Sequence, residues 1–480
     1  MASSFRDPDG CVVILDNRVL RFVNRSGEQN LRTFLASETA RRAFVTGQLV
    51  PTYEANPSRE VQLAELAGPN GGEANGYSEA CAVLEHERIP FPSFPYEWPP
   101  EMLCAAGILT LDLAEAALTE GLGLKDATPY NILFRGTKPV FVDLLSFEKR
   151  EATDHIWLPY AQFVRTFILP LLAAAELGLR LDQIFLTRRD GLEPEDVYRL
   201  CGIGKKLRPP FLTLASIPTW LAARSGPEKE SVHNHRHVSA DRATFTLERL
   251  FRRLRQQLGK AKPRRTRVST WSDYMASVEN FPPNYLWEKE LFLREVLTEF
   301  KPQKLLDVGC NTGHFSLITA RTGTSVVAID QDPLVIGELW RQAAEQQLDI
   351  LTLVVDLTRP SPGVGWRNLE NQSFLDRARG SFDAVLMLAL VHHLLITERI
   401  PLTRILSLAA ELTTDILILE FIGPDDPMFR RLLRGRGHLF EGLSNEVFMS
   451  ACLEKFNIIR SRRLAQTDRW IYLLRKKCAI

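Results

Sequence analysis

The sequence predicts an α/β chain in two parts, an α+β region at the N-terminus and a mainly parallel sheet at the C-terminus. Three observations lead there. The chain has 480 residues, room for two or three domains at roughly 150 residues each. From about residue 269, strand-like and helix-like segments alternate to the end, the rhythm of parallel strands joined by helical crossovers. Near residue 225 the composition turns polar and then basic, which marks a boundary. The expected divisions are 1–225, a polar and basic linker over 226–268, and 269–480.

Hydrophobic residues are 45% and charged residues 24%, with 28 Gly and 28 Pro. That is globular composition and argues against a disordered, collagen-like or coiled-coil chain. The start carries no basic stretch followed by an apolar one, so no secretory leader is expected. The longest apolar runs, 167–175 and 384–391, fall short of the ~20 residues of a membrane-spanning helix, and no membrane partner is expected. Seven cysteines stand singly with no C-x-x-C pair, which fits reduced thiols in a cytoplasm. No repeat of solenoid length is present.

The formal charge is +1, but it divides into −6 over 1–248, +9 over 249–267 and −2 over 268–480. A broadly basic surface is excluded. The local question is whether 249–267 docks on the acidic N-terminal part or reaches an anionic partner such as nucleic acid.

In the first part, Cys11–Leu15 and Arg18–Val23 flank Asp16-Asn17 and read as a hairpin. Helical spacing covers about 28–46. Residues 68–78 are rich in turn formers, 90–100 hold five prolines, and 102–120 return to helical spacing. Leu250, Phe251, Leu254 and Leu258 make the start of the basic run an amphipathic helix; Gly259 and Pro263 make its end a linker. His233, His235 and His237 alternate. They read either as a solvated loop or as one face of a metal site, and no carboxylate or cysteine follows at ligand spacing.

In the second part, Lys304-Leu-Leu-Asp-Val-Gly-Cys-Asn-Thr-Gly-His reads as strand, tight loop, helix. Gly309 and Gly313 permit positive φ and close approach to a ligand. Asn311 between them tolerates left-handed geometry better than other residues with a side chain. The next strand ends at Asp330, 23 positions after Asp307, the offset of an acid that accepts from ribose hydroxyls. A third strand runs from Ile350 to Asp356, and a fourth, from Phe382, leads into Val391-His392-His393.

The loop is D-x-G-x-N-x-G and departs from the dinucleotide fingerprint. It resembles motif I of class I S-adenosylmethionine-dependent methyltransferases, over about 269–480. The resemblance implies a Rossmann-like seven-stranded methyltransferase sheet whose final hairpin is formed by 456–460 and 470–474. It implies S-adenosyl-L-methionine as cofactor. Cofactor contacts would come from Asp307, Gly309, Cys310, Asn311, Gly313, Asp330, Gln331, Asp356, Leu357, Leu388 and Tyr285, with Asp330 on ribose and Asp356 on the adenine amino group. Gly365-Trp-Arg-Asn, Glu420-Phe-Ile-Gly-Pro-Asp-Asp and Arg434-Gly-Arg are similar to the bacterial methyltransferases related to the nodulation protein NoeA. That similarity points to a small-molecule or carbohydrate-type acceptor.

His392 and His393 follow the fourth strand, where the transferred methyl would lie. Each is a candidate base, and the alternative is core packing and helix capping. Glu420 ends an apolar strand and could orient a substrate or serve the structure. Tyr285 and Trp287 either close over the cofactor or simply pack.

Lys125-Asp126-Ala-Thr-Pro-Tyr-Asn131, followed by Val140-Phe-Val-Asp143, resembles the catalytic loop and metal-binding acid of the kinase and aminoglycoside-phosphotransferase superfamily. The departures are large. No G-x-G-x-x-G is present near the N-terminus, residues 1–124 contain no lysine, and Leu-Leu-Ser follows Asp143. Arg21 could stand in for the lysine, though its planar fork is not equivalent. The expectation is a degenerate kinase-like domain, an α+β unit that binds substrate or a partner. The alternatives are turn stabilisation by Asp126 and Asn131, a bifunctional kinase and methyltransferase, or an RNA-directed enzyme using the basic run.

Overall fold

The computed structural model describes residues 3–4, 7–15, 17–56, 60, 80–224, 238–261, 284–433, 440 and 442–477. The chain divides into two compact units. Unit 1 holds Met1–Arg135, Pro139–Arg265 and Gly363–Gln372; unit 2 holds Gly136–Lys138, Thr266–Pro362 and Ser373–Ile480.

Unit 1 begins with five strands: β1 (Ser3–Ser4), β2 (Gly10–Leu15), β3 (Arg18–Asn24), β4 (Thr52–Ala55) and β5 (Ala80–His86). They form an antiparallel sheet in the order β1-β2-β3-β5-β4. The expected hairpin is β2–β3, and Asn17 turns it at φ 71°. Alternate residues Cys11, Val13 and Leu15 pack with Leu20, Phe22 and Val83, the period-2 pattern of a half-buried sheet. The helical stretch after it breaks into Arg25–Leu35 and Glu38–Val45, because the Ser37 hydroxyl caps the second helix at Ala40 N–H.

Pro100 starts a 19-residue helix, Pro100–Leu118, at a position where its missing N–H costs nothing. Two short pairs follow: β6 (Leu122–Leu124) with β9 (Phe147–Lys149), and β7 (Ile132–Arg135) with β8 (Lys138–Phe141). One continuous helix, Tyr160–Leu177, is long and apolar enough to cross a membrane by length and composition alone. Its Phe163, Phe167, Leu169 and Leu171 are fully buried, so it serves as a core helix of unit 1.

The expected linker over 226–268 is corrected for its middle. Residues Ala240–Ala261 form a 22-residue helix grouped with unit 1. Ala243, Leu247, Phe251, Leu254, Leu258 and Ala261 make its buried stripe, at the spacing of one helical face. Gly107 leaves room for Leu258, whose methyl would sit 3.1 Å from an added Cβ. Arg255 reaches Asp112 at 2.5 Å and Glu115 at 2.8 Å. Within the described part of the basic run, Arg255 thus docks on acids of its own unit, while Arg249, Arg252, Arg253 and Lys260 are exposed. Lys262, Arg264, Arg265 and Arg267 lie outside the described residues, as do the loop over 68–78, the three alternating histidines and Arg434-Gly-Arg.

Unit 2 is built on β10 (Lys304–Val308), β11 (Ser325–Asp330), β12 (Ile350–Val354), β13 (Phe382–Met387), β14 (Thr413–Ile422), β15 (Phe456–Arg463) and β16 (Arg469–Lys476). The seven strands lie in the order β12-β11-β10-β13-β14-β16-β15. β10 to β14 run parallel, and β16 is antiparallel to both β14 and β15. Strands such as β12, with five buried residues in a row, show the continuous apolar run of a sheet covered on both faces. The chain moves outward from β10 to β12 and then returns to β13 on the other side of β10. Ligands of such sheets bind at that switch point, beyond the carboxyl ends of the strands.

Gly363–Gln372 departs from the expected unbroken 269–480 domain, since it groups with unit 1. Val364 and Asn371 exchange two backbone hydrogen bonds at 3.1 Å, which closes the segment on itself. Trp366 and Leu369 are exposed, and within unit 1 Glu370 pairs with Arg189 at 2.7 Å.

Candidate active site

The loop after β10 lies at the switch point. Gly309, Asn311 and Gly313 have φ of 74°, 51° and 78°, so the left-handed geometry expected at all three is present. The N–H groups of Gly309 and Cys310 donate to Ile329 O at 2.9 and 3.1 Å, which ties the loop to the end of β11. The helix His314–Ala320 then starts at Gly313. A Cβ on Gly313 would lie 2.1 Å from a Leu339 methyl, and one on Gly309 would lie 3.3 Å from Leu390. Gly309 therefore borders the loop that leaves β13. Cys310 is buried, and burial pushes its thiol well up, so it packs rather than reacts.

Asp330 ends β11. Its Oδ2 accepts from Asn311 N–H and its Oδ1 from Asp332 N–H, each at 3.0 Å. The carboxylate thus holds the glycine loop. Burial raises it, against the pull of those N–H groups. Gln331 beside it is exposed. Asp356, just past β12, accepts from Thr358 N–H at 2.9 Å and from its hydroxyl at 2.6 Å through Oδ1. Leu357 is half-buried, and Leu388, at the end of β13, is buried. Apart from Tyr285 on its helix and Asp307 within β10, the residues expected to hold the cofactor lie at four strand ends, and the positive-φ cradle fits a group that needs close backbone approach.

Asp307 is buried beneath the loop and accepts from Ser316 Oγ at 2.6 Å. Burial pushes its carboxyl up to about 7, opposed by that hydroxyl and reinforced by Asp330. A group raised in the folded state stabilises the fold at low pH and loses that contribution as pH rises toward its folded value. Unit 2 should therefore become less stable between about pH 4 and pH 7. Asp307→Asn should flatten that fall in thermal melts at pH 5 and pH 7.5; an unchanged slope would rule out Asp307 as its source.

For two candidates left between a site role and a structural one, the geometry favours structure. Glu420 does not face open substrate space: it is fully buried with both oxygens held. Tyr285 Oη donates to Oε1 at 2.9 Å; Lys289 Nζ at 2.6 Å and Ala389 N–H at 2.8 Å reach Oε2. Tyr285 is likewise buried, and Arg469 donates to its hydroxyl at 2.5 Å, so its ring is a fixed wall rather than a flap. Arg469 also makes two bonds to Asp426, at 2.7 and 3.1 Å. Trp287 is exposed. Lys289, Asp426 and Arg469 were not singled out from the sequence. Lys289 gave a usable signal, since it falls on the stripe with Tyr285, Phe292, Leu293 and Val296 in the helix Tyr285–Phe300.

This cluster fixes the loop after β13. Ala389, bonded to Glu420, has φ of 48°, a conformation a side-chain-bearing residue keeps only when its surroundings impose it. His392 follows in the helix Val391–Ile396 and is 2% exposed. Its Nδ1 has no hydrogen-bond partner among the described residues. Burial, then the charges of His393, Arg469 and Lys289, hold it well below the usual histidine range. The His393 ring lies 4.2 Å from it between centroids, tilted by 43°, and is lowered by burial.

In unit 1 the kinase-like residues are partly gathered. Asn131 Nδ2 donates to Ser146 Oγ at 3.0 Å, and Ser146 donates to Asp143 Oδ2 at 2.5 Å. Arg21 on β3 pairs with Asp143 Oδ1 at 2.8 Å and donates to His86 Nε2 at 3.2 Å. His86, pushed down to about 3 by burial and by Arg21, is the neutral acceptor that this contact needs. Asp126 stands apart and accepts from Gln162 at 3.4 Å. Among the described residues no group of three or more His, Cys, Asp or Glu could hold a metal ion.

Residues 306–404 match the family described as Methyltransferase domain. The nodulation protein NoeA of Rhizobium meliloti (strain 1021) is 28% identical over 475 residues, 98% of this chain and 95% of that protein. The ubiquinone biosynthesis O-methyltransferase of Caulobacter sp. (strain K31) is 33% identical over 96 residues, 20% of this chain and 32% of that one. Among solved structures, the N-methyltransferase NodS from Bradyrhizobium japonicum WM9 covers 40% of this chain and 97% of its own, at 16% identity and a TM-score of 0.30. WbdD covers 40% of this chain and 39% of its own, at 20% identity and a TM-score of 0.29. With the family match lying over the glycine cradle and the strand ends beside it, the chain is an S-adenosylmethionine-dependent methyltransferase that uses S-adenosyl-L-methionine as its cofactor.

Proposed function

We propose that unit 2 methylates an oxygen or nitrogen nucleophile on a small-molecule or carbohydrate-type acceptor, and that unit 1 is a degenerate kinase-like domain that presents it. The observation that carries the transfer is His392. A hydroxyl or amine must shed a proton as it takes a methyl, and the unpartnered Nδ1 beyond the end of β13 is the candidate acceptor, a weak base in the closed site because burial and the nearby cations disfavour its charged form. His393 is the second candidate. When bound, the cofactor supplies a methyl already activated on sulfur, so positioning by the protein contributes most of the remaining rate. Asp330, Asp356 and the glycine cradle would hold the cofactor.

The reading of unit 1 rests on Arg21. Its guanidinium takes one Asp143 oxygen and Ser146 takes the other. Those oxygens are the ones a hard cation would require. The pairing of Arg255 with Asp112 and Glu115 favours docking within unit 1 over an RNA acceptor.

Calorimetry on the full chain should give S-adenosylmethionine binding that weakens at least ~10-fold in Asp330→Ala, about 1.4 kcal/mol. Mg·ATP should give no heat. His392→Gln should keep the cofactor affinity yet lose ~10²-fold or more of labelled methyl transfer to a panel of sugars bearing hydroxyls and amines. Heat with Mg·ATP would overturn the reading of unit 1, and full transfer by His392→Gln would overturn the base.

A further inference from the structure

One surface of unit 1 joins exposed apolar side chains to a run of cations. Six of the nineteen exposed large apolar side chains among the described residues fall within 200–221, a concentration far above chance scatter. Ile203 is 78% exposed, Leu207 59%, Leu221 58% and Leu200 54%, with Trp220 beside them. They sit on the helices Pro194–Leu200, Ile203–Lys206 and Ile217–Arg224, with Leu207 just after the second. These helices are fastened together. Trp220 Nε1 donates to Tyr198 Oη at 3.2 Å, Lys206 Nζ lies 4.0 Å from the Tyr198 ring centre, and Ser216 Oγ donates to Lys206 O at 2.8 Å. The apolar side chains therefore share one patch.

No Asp or Glu occurs between Asp196 and Glu228, while Arg199, Lys205, Lys206, Arg208 and Arg224 do. Lys205 is spent on Glu176; Arg199, Arg208 and Arg224 are exposed. An exposed apolar patch of this kind marks an interaction site. Exposed leucine, isoleucine and tryptophan on segments that also carry exposed arginines match the layering of an anionic bilayer, with acyl chains below and phosphate headgroups above. A nucleic acid would match the cations and leave the aliphatic side chains unmatched.

We propose that this patch docks unit 1 on an anionic lipid surface. That revises the expectation, drawn from the lengths of the apolar runs, of no membrane partner: short helices lie on a membrane without crossing it.

The test is sedimentation of the full chain with vesicles of phosphatidylcholine alone or with one-third phosphatidylglycerol. Binding should require the anionic lipid and weaken several-fold in 0.5 M salt, as screened charges do. Ile203→Asp combined with Leu207→Asp should lower it at least tenfold while leaving cofactor affinity and thermal stability unchanged. Absence of binding to either vesicle would overturn the proposal, as would binding that the double variant retains. A concentration-dependent dimer abolished by the same substitutions, without vesicle binding, would also overturn it and assign the patch to a second copy of the chain.

Discussion

Replacing Glu420 by Leu should destabilise unit 2 by about 3–5 kcal/mol, the cost of removing one partner from a buried ion pair. Lys289 and Arg469 lie in the interior with Glu420 and Asp426 as their counter-charges. The four groups balance, and loss of Glu420 leaves a buried ammonium without compensation. Burial already lowers Lys289 against the pull of Glu420, so the lysine should shed its proton in the variant. Lys289→Met added to Glu420→Leu should recover most of the loss, because Arg469 and Asp426 remain a matched pair. The recovery should stop short by about 1–3 kcal/mol, the penalty of leaving a buried donor such as Ala389 N–H unpaired. Urea unfolding followed by tryptophan fluorescence reads both quantities. A cost under 1 kcal/mol for the single variant, or no recovery in the double, would contradict the balanced cluster.

That cluster also marks where sequence reasoning stopped. The cofactor cradle was legible because its constraints are local: Gly309, Asn311 and Gly313 each belong to residue types that tolerate positive φ, and all three adopt it. The strand-end acids were legible because a parallel sheet places successive carboxyl ends in a row. Glu420 was legible only as a strand end. Its partners come from 131 positions upstream, at Lys289, and 49 downstream, at Arg469, and spacing carries no trace of such a pairing. The left-handed Ala389 left no signal either, since its conformation comes from Glu420 and not from its own side chain. In unit 1, a helical stripe was visible over 250–258, yet a basic run ending in Gly and Pro also reads as linker. The leucine stripe decided the outcome once the helix Pro100–Leu118 offered Gly107, Asp112 and Glu115 to receive it.

Gly313→Ala should be the most damaging single change in the cofactor loop. Two costs meet at this position. The backbone stands at φ 78°, where an L-residue pays about 1–2 kcal/mol. The new Cβ would also lie 2.1 Å from one Leu339 methyl and 2.6 Å from the other, and overpacking a tight core costs about 1–3 kcal/mol. Leu339 is fully buried on the helix Pro333–Glu345, so it cannot swing to solvent. The loop must move instead, and with it the N–H groups that Ile329 and Asp330 hold. The expected result is a loss of about 2–5 kcal/mol in stability, the sum of those two costs, together with loss of S-adenosylmethionine binding. Gly309→Ala provides the internal comparison: φ is similar at 74°, but its Cβ would meet only Leu390 at 3.3 Å, so the backbone cost dominates. Gly313→Ala should also be partly rescued by Leu339→Ala, which empties the space the new methyl needs, while Gly309→Ala should not. Equal damage at the two glycines, or no rescue at Leu339, would show that conformation alone and not the close approach of Leu339 selects glycine at 313.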